Sequence, residues 1–194
     1  MLNIAITSGD INGIGPEIIA KAVSGFDSEN FRFTLFGPAS ALAGNFRKLP
    51  VEIKDTGPED TAPEYGMISA KAGHAAVLAI KAAVRSTLKG DYDAVVTAPI
   101  SKKAIRLAGH RFPGHTEMLK ELCGVDEVLM MFLSDSLLVG LLTTHIPLKR
   151  VSDELDIQYC LNKIRLFHRE LVSRLHLVEP KIALCALNPH AGEE

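Results

Sequence analysis

No apolar stretch in this 194-residue chain reaches the roughly 18 residues that a membrane-spanning helix requires, so a helical membrane protein is not expected. The N-terminus has no basic segment and no long apolar stretch of the kind that opens a secretory leader, because Gly9 and Asp10 interrupt the first apolar run. Neither sign of charge is in excess. With 21 basic and 23 acidic residues mixed along the chain, the formal net charge is −2, which argues against a nucleic-acid-binding face. Cysteines are few and odd in number: Cys123, Cys160 and Cys185 lie far apart in apolar or helical contexts. They are expected to be buried free thiols in a reducing compartment, and the protein is expected to be cytoplasmic. Repeats and low-complexity segments are absent. What is present is ordinary globular composition, 47% hydrophobic and 23% charged, with length enough for one large domain or two small ones.

Short β-branched or apolar runs alternate with longer helical patterns. Strands are expected at Asn3 to Thr7, Phe31 to Phe36 and Ala94 to Thr97, and a helix at Pro16 to Ser24. The segment Leu49 to Glu64 carries three prolines and no period, so it reads as loop or edge structure. From Gly66 to Leu88, Ala72, Ala76, Ile80, Ala83, Val84 and Leu88 keep helical spacing, and Gly90 closes the helix. Two short helices follow, Lys102 to Ala108 and Glu117 to Leu122. Val128 to Leu133 and Leu138 to Thr144 read as strands of a hairpin turning at Ser134-Asp135-Ser136. Ser152 is placed to cap a long helix reaching about Leu175, and Ile182 to Leu187 reads as a last strand. The alternation predicts an α/β fold with a mostly parallel sheet and flanking helices, divided into residues 1–125 and 126–194.

In such sheets ligands gather beyond the carboxyl ends of the strands. Four strand ends here carry unusual polar sequence: "TSGDINGIGPE", "VTAPISKK", "LLTTHIPL" and "CALNPHAGEE", and a fifth loop, "RFPGHTEM", leads into a helix. The first fails as a dinucleotide fingerprint, because after Gly13-Ile14-Gly15 the last glycine of G-x-G-x-x-G would fall on Ile18. Nor does Gly-Lys-Ser/Thr follow, as a P-loop needs. It is either a tight strand-to-helix turn or a loop whose glycines let backbone approach a ligand, with Pro16 suited to the first helical position. Glu17 in that first turn favours the helix dipole but would repel a phosphate placed there.

The candidate polar residues each have two readings. Thr116 caps the following helix with His115 on the surface, or the two hold a phosphate or carboxylate at a helix N-terminus. His145 is a hydrogen-bonded structural residue or a metal ligand. Lys102 and Lys103 are solvated, or one contacts an anionic substrate. His190 is equally open, while His74, His110, His168 and His176 look like surface or helix residues.

Taken in order, "ITSGDINGIGPEI", "VTAPISKKAI", "GHTEML", "TTHIPL" and "LNPHAGE" resemble the 4-hydroxythreonine-4-phosphate dehydrogenase family of pyridoxal phosphate biosynthesis. The Gly-Ile-Gly-Pro-Glu element is similar to the opening loop of isocitrate and isopropylmalate dehydrogenases, whose fold the family shares and which bind nicotinamide nucleotides without the Rossmann fingerprint. The resemblance implies an isocitrate dehydrogenase-like fold with two subdomains around a cleft. It also implies oxidation of the secondary alcohol of 4-phosphooxy-L-threonine, with hydride passing to NAD or NADP and the β-keto acid decarboxylating to 3-amino-2-oxopropyl phosphate. A divalent metal (Zn, Mg or Co) would chelate the hydroxyl oxygen and lower its pKa.

Carried over by motif, His115 and Thr116 bind substrate, with Lys102 a further candidate. His145 is one of three histidine metal ligands, and Gly13 and Gly15 approach the cofactor. A homodimer is implied, with sites drawing on both subunits. A related enzyme acting on a threonate or erythronate phosphate, or a non-catalytic phosphate-ligand module, would carry nearly the same loops. Since family members continue well beyond "LNPHAGE", the first domain is expected to be incomplete without the missing part and the second to be present only in part, the other two metal histidines to lie outside this sequence, and the 194-residue chain to have little or no activity alone.

Overall fold

The computed structural model describes residues 1–26, 29–58 and 61–190, which form two compact units, 1–126 and 127–194. No helix among the described residues is long and apolar enough to cross a membrane.

In the first unit the chain runs β1 (Leu2–Thr7), α1 (Gly15–Val23), β2 (Phe31–Gly37), α2 (Ala39–Phe46), β3 (Val51–Asp55), α3 (Ala70–Leu88), β4 (Ala94–Thr97), α4 (Lys102–Leu107) and α5 (His115–Cys123). All four strands are parallel, in the order β3-β2-β1-β4. Period-two alternation sends successive side chains to opposite faces. Ile6, Phe33 and Leu35 meet Ile19 and Val23 of α1 and Leu42 and Phe46 of α2 on one face. Ala5 and Phe36 meet Ala79 and Ala83 of α3 on the other. The small alanines let α3 lie close to the sheet, while its far side, Val77, Ile80 and Val84, buries against Ile105 of α4 and Met118 of α5. Each such fully buried apolar side chain contributes about 1.5–3 kcal/mol.

Several boundaries differ from the sequence expectation. Helix α3 starts at Ala70 and not near Gly66, because Ser69 Oγ accepts the Ala72 N–H at 3.2 Å and fixes the first turn there. The proline-bearing segment is not a boundary error: of its two readings, loop or edge structure, the edge one holds, as β3 is the edge strand beside β2. Helix α2 had no expectation at all: it is short, Gly44 and Asn45 blur its period, and burial of Leu42 and Phe46 holds it. Helix α5 starts two residues earlier than expected, which puts His115 and Thr116 inside its first turn.

In the second unit β5 (Met131–Leu133) and β6 (Leu138–Gly140) make an antiparallel hairpin, shorter than the expected strands. A 3-10 turn at Leu148–Arg150 and the short α6 (Val151–Glu154) lead to α7 (Ile157–Ser173). Ser152 falls inside α6 and does not cap the long helix; Asp156 does, its Oδ1 accepting the Tyr159 N–H at 2.7 Å. Helix α7 is anchored by Tyr159 Oη donating to the Leu142 carbonyl and Lys163 Nζ to the Val128 carbonyl, each at 2.6 Å. The expected strand at Ile182 to Leu187 does not form: the segment pairs with no strand among the described residues, and Leu184 and Leu187 are exposed. The cysteines are free, but Cys123, at the solvent end of α5, and Cys185, in that unpaired segment, are exposed and not buried as expected.

Candidate functional site

Strand β1 is flanked by β2 on one side and β4 on the other, so the strand order reverses between β1 and β4. At such a switch point the loops leaving the two strands part and open a crevice. Here they are Ser8–Ile14 and Ala98–Ser101, and they are tied at their base. The Asp10 N–H donates to the Pro99 carbonyl at 2.8 Å, and the Ala98 N–H to the Thr7 carbonyl at 3.3 Å. Gly9 sits at φ +65° where a Cβ would run into that Pro99 carbonyl, so the crossing admits no side chain. Gly15 is buried under the Ser8 carbonyl, which a Cβ would meet at 2.5 Å. Its bare backbone lets α1 start directly against β1.

Beyond the crossing the loop folds back on itself. Asp10 Oδ1 accepts the Asn12 N–H and the Asp10 carbonyl accepts the Gly13 N–H, both at 3.0 Å. Asn12, 4% exposed, then binds a distant segment with its whole amide. Its Nδ2 donates to the Met67 carbonyl at 2.9 Å and to Ser69 Oγ at 3.3 Å, and its Oδ1 accepts the Glu64 N–H at 2.8 Å. These bonds bring Tyr65 opposite Ile14, and a cavity of about 480 Å³ lies among Asn12, Gly13, Ile14, Glu17, Asn45 and Tyr65. Gly13 thus lines the cavity, while Gly15 does not. Ile14 and Tyr65 are 61% and 69% exposed, large apolar groups with little covering them. The Glu17 carboxyl is held below its ordinary value by the Lys21 ammonium, its hydrogen-bond partner at 2.7 Å.

A second polar locus lies where α4 and α5 begin. Ser101 Oγ caps α4 by accepting the Ala104 N–H at 3.2 Å. Two lysines follow, with no acidic residue in that first turn. A cation at a helix N-terminus opposes the dipole, so local helix preference does not explain Lys102. Its side chain reaches α5: a Cβ on Gly114, the residue preceding that helix, would lie 3.7 Å from Lys102 Nζ. No side chain caps α5, and Thr116 makes no cap bond. His115 Nε2 is buried without a hydrogen-bond partner. Burial, and then the Lys102 ammonium, hold the His115 imidazole below its ordinary value. The Glu117 carboxylate stands at the same place, 3.3 Å from that Gly114 Cβ position. Uncapped amides, an ammonium and an orphaned ring nitrogen together suit an anion.

In the second unit His145 is exposed and sits at φ +58°, a left-handed conformation unusual for a residue with a Cβ. Among the described residues no group of three or more His, Cys, Asp or Glu is placed to hold a metal ion. His145 is therefore a single candidate ligand, and the residues described do not make a metal site. His190 lies exposed where its N–H meets Asn188 Oδ1 at 3.0 Å; the residues after it are outside the described chain. Sequence reading missed the Asn12 stitch, whose signal is only a polar residue in a glycine loop. It also missed that His74, a helix residue as read, and His110, half-buried in a loop, form a bonded pair.

Comparison with known proteins bears on the family and the fold. The family model described as pyridoxal phosphate biosynthetic protein PdxA matches residues 14–194. A 4-hydroxythreonine-4-phosphate dehydrogenase of Geobacter metallireducens is 39% identical over 98% of this chain and 62% of its own length. A D-threonate 4-phosphate dehydrogenase of Cupriavidus necator is 37% identical over 98% of the chain and 63% of its own. The crystal structure of a 4-hydroxythreonine-4-phosphate dehydrogenase from Burkholderia phymatum superposes with a TM-score of 0.83 at 32% identity, over 99% of this chain and 64% of that one. The chain thus spans somewhat under two thirds of the length of the relatives it matches.

Proposed function

Since the chain belongs to the pyridoxal phosphate biosynthetic protein PdxA family and has the isocitrate dehydrogenase-like α/β fold of its members, we propose that it serves the NAD(P)-dependent oxidation of 4-phosphooxy-L-threonine. The product is a β-keto acid that loses carbon dioxide to leave 3-amino-2-oxopropyl phosphate. The observation that carries the reading is the meeting of Lys102, the orphaned His115 Nε2 and the uncapped start of α5.

In this reading Lys102 and the free amides of α5 hold an anionic group of the substrate, phosphate or carboxylate. His115, kept neutral by burial, offers one ring nitrogen in a fixed direction, and the Thr116 hydroxyl adds a second polar contact. Entry of the anion requires the Glu117 carboxylate to swing out, since two negative charges compete for one helix end. The cavity between Ile14 and Tyr65 suits the flat face of a nicotinamide cofactor, which when bound supplies the hydride acceptor. Gly13 gives close backbone approach there, and the ionised Glu17 at the rim suits sugar hydroxyls and not a phosphate. His145 would offer one ligand to a divalent ion; no step above passes through a metal. The family resemblance of the loops adds a homodimer, which light scattering over a range of concentrations tests.

A second substrate is favoured by one observation: the relative named for D-threonate 4-phosphate is as similar to this chain, at 37%, as those named for 4-hydroxythreonine 4-phosphate. The two substrates differ at the amino-bearing carbon. Calorimetric titration of the chain with each compound separates them, the tighter binder being the substrate. Lys102→Gln is expected to weaken either by about tenfold or more, since a charge-assisted contact is lost. No binding of either compound, or equal binding by the variant, would overturn the reading.

A further inference from the structure

His74, near the start of α3, and His110, in the loop between α4 and α5, share a contact that the chemistry above leaves unused. His74 Nδ1 and His110 Nε2 are 3.1 Å apart, with ring planes within 4° and centroids 5.3 Å apart. The half-widths of two imidazoles added to the N–N separation account for nearly all of that centroid distance. The rings therefore meet edge to edge and not face to face, one nitrogen donating its hydrogen and the other accepting. No third His, Cys, Asp or Glu joins them as a metal-binding group among the described residues.

We propose that His74 and His110 are positioning residues, a clasp that fixes the loop 109–114 and through it sets His115 at the start of α5. The inference rests on the reading of His115 as an anion-holding residue. Only four residues lie between His110 and His115, so a shift at one end reaches the other. The loop is pinned at three points. The His110 ring is held to α3 by His74, and its N–H donates to the Ile105 carbonyl of α4 at 3.1 Å. Phe112 lies beside that ring, centroids 6.4 Å apart, and packs with Ile105, Met118 and Val77. Helix α3 is the fixed reference, since Ala79 and Ala83 bury against the sheet.

The clasp has a proton limit. Neutral or with one added proton, the pair keeps one donor and one acceptor; a second proton turns two N–H groups toward each other. Burial and the Lys81 ammonium on α3, with the His74 ring, hold His110 below its ordinary value. Arg106 at the end of α4 and Arg111 next in the loop carry the same sign, while Glu117 of α5 is turned to its own helix end near Gly114. Acid therefore opens the clasp.

The test follows the ¹⁵N-labelled histidine rings of the 194-residue chain by NMR from roughly pH 8 to 5, the range in which imidazoles titrate. His74→Asn keeps a hydrogen-bonding atom where Nδ1 stood without a titrating group; His74→Phe keeps a ring without the nitrogen. In the unmutated chain the His110 ring signal should move as acid breaks its hydrogen bond to His74, with the His115 ring signal moving at the same step. His74→Asn should preserve the neutral-pH His115 signal and abolish that step, and His74→Phe should shift the signal at neutral pH already. Inorganic sulfate, charged throughout, should bind about tenfold more weakly to His74→Phe and unchanged to His74→Asn at neutral pH. An unmoved His115 signal in His74→Phe, or a His110 signal that the loss of the His74 ring nitrogen leaves unchanged, would overturn the clasp. If sulfate fails to bind the unmutated chain, the anion-site reading falls, while the ring signals still decide on the clasp.

Discussion

Thr7 and His115 each bury a polar atom with no hydrogen-bond partner, yet the two orphans have different consequences. Thr7 is fully buried at the end of β1, so its hydroxyl faces packed protein. Thr7→Val keeps the shape and removes the unsatisfied group, and is expected to change stability by less than about 1 kcal/mol in urea unfolding. His115 is only half-buried and stands beside Lys102 and an uncapped helix end. His115→Phe is expected to leave the urea midpoint nearly unchanged while sulfate binding falls by about tenfold. His145 is a third case, a matter of backbone. Its left-handed φ of 58° disfavours a Cβ, so His145→Gly is expected to unfold at higher urea than His145→Ala, by about 1 kcal/mol. Equal midpoints for those two variants would show that the loop relaxes and stores no strain.

Elements were legible where a local signal agreed with the packing. β1 and β4 each carry a short apolar run, and α3 keeps its helical period because its buried residues recur at helical spacing while Lys71 and Arg85 stay exposed. The misreadings have local causes. Ser152 looks like a cap as well as Asp156 does, and only the hydrogen bond to Tyr159 decides between them. Asp156→Ala is therefore expected to cost about 1 kcal/mol and Ser152→Ala close to nothing, measured by thermal unfolding. Ile182 to Leu187 has strand composition, but a strand exists only through a partner, which composition does not supply. The contact of α3 with α4 was also hidden from sequence: a Cβ on Gly73 would run into the Ala104 backbone. Gly73→Ala is expected to destabilise the chain by about 2–3 kcal/mol and to loosen Lys102 with α4, read as faster amide exchange there. The site was legible as a set of loops, not as an arrangement. "SKK" and "GHTE" named Lys102 and His115, but their meeting depends on how α4 and α5 lie on α3.

At the scale of the molecule, the imidazoles give the first unit a pH dependence whose direction is fixed. Burial comes first among the causes for both His110 and His115, followed by the Lys81 ammonium for one and that of Lys102 for the other. Both pKa values lie below the ordinary 6.5, so the folded chain binds fewer protons than the unfolded chain in the interval beneath that value. Stability is therefore full above the ordinary imidazole range and declines as pH falls through the lowered folded values. Glu17 contributes in the same direction at lower pH: its Lys21 partner lowers its pKa, so its share is present above the ordinary 4.5 and is lost on further acidification. Denaturant midpoints from roughly pH 8 to 5 should thus stay level and then fall. An anion at the α5 start changes the balance, because a negative charge beside His115 favours the imidazolium and offsets both Lys102 and burial. Sulfate should then flatten the acid limb in the unmutated chain and leave it unchanged in His115→Phe. A decline that sulfate flattens equally in both would mean that the anion acts elsewhere and that His115 does not face it.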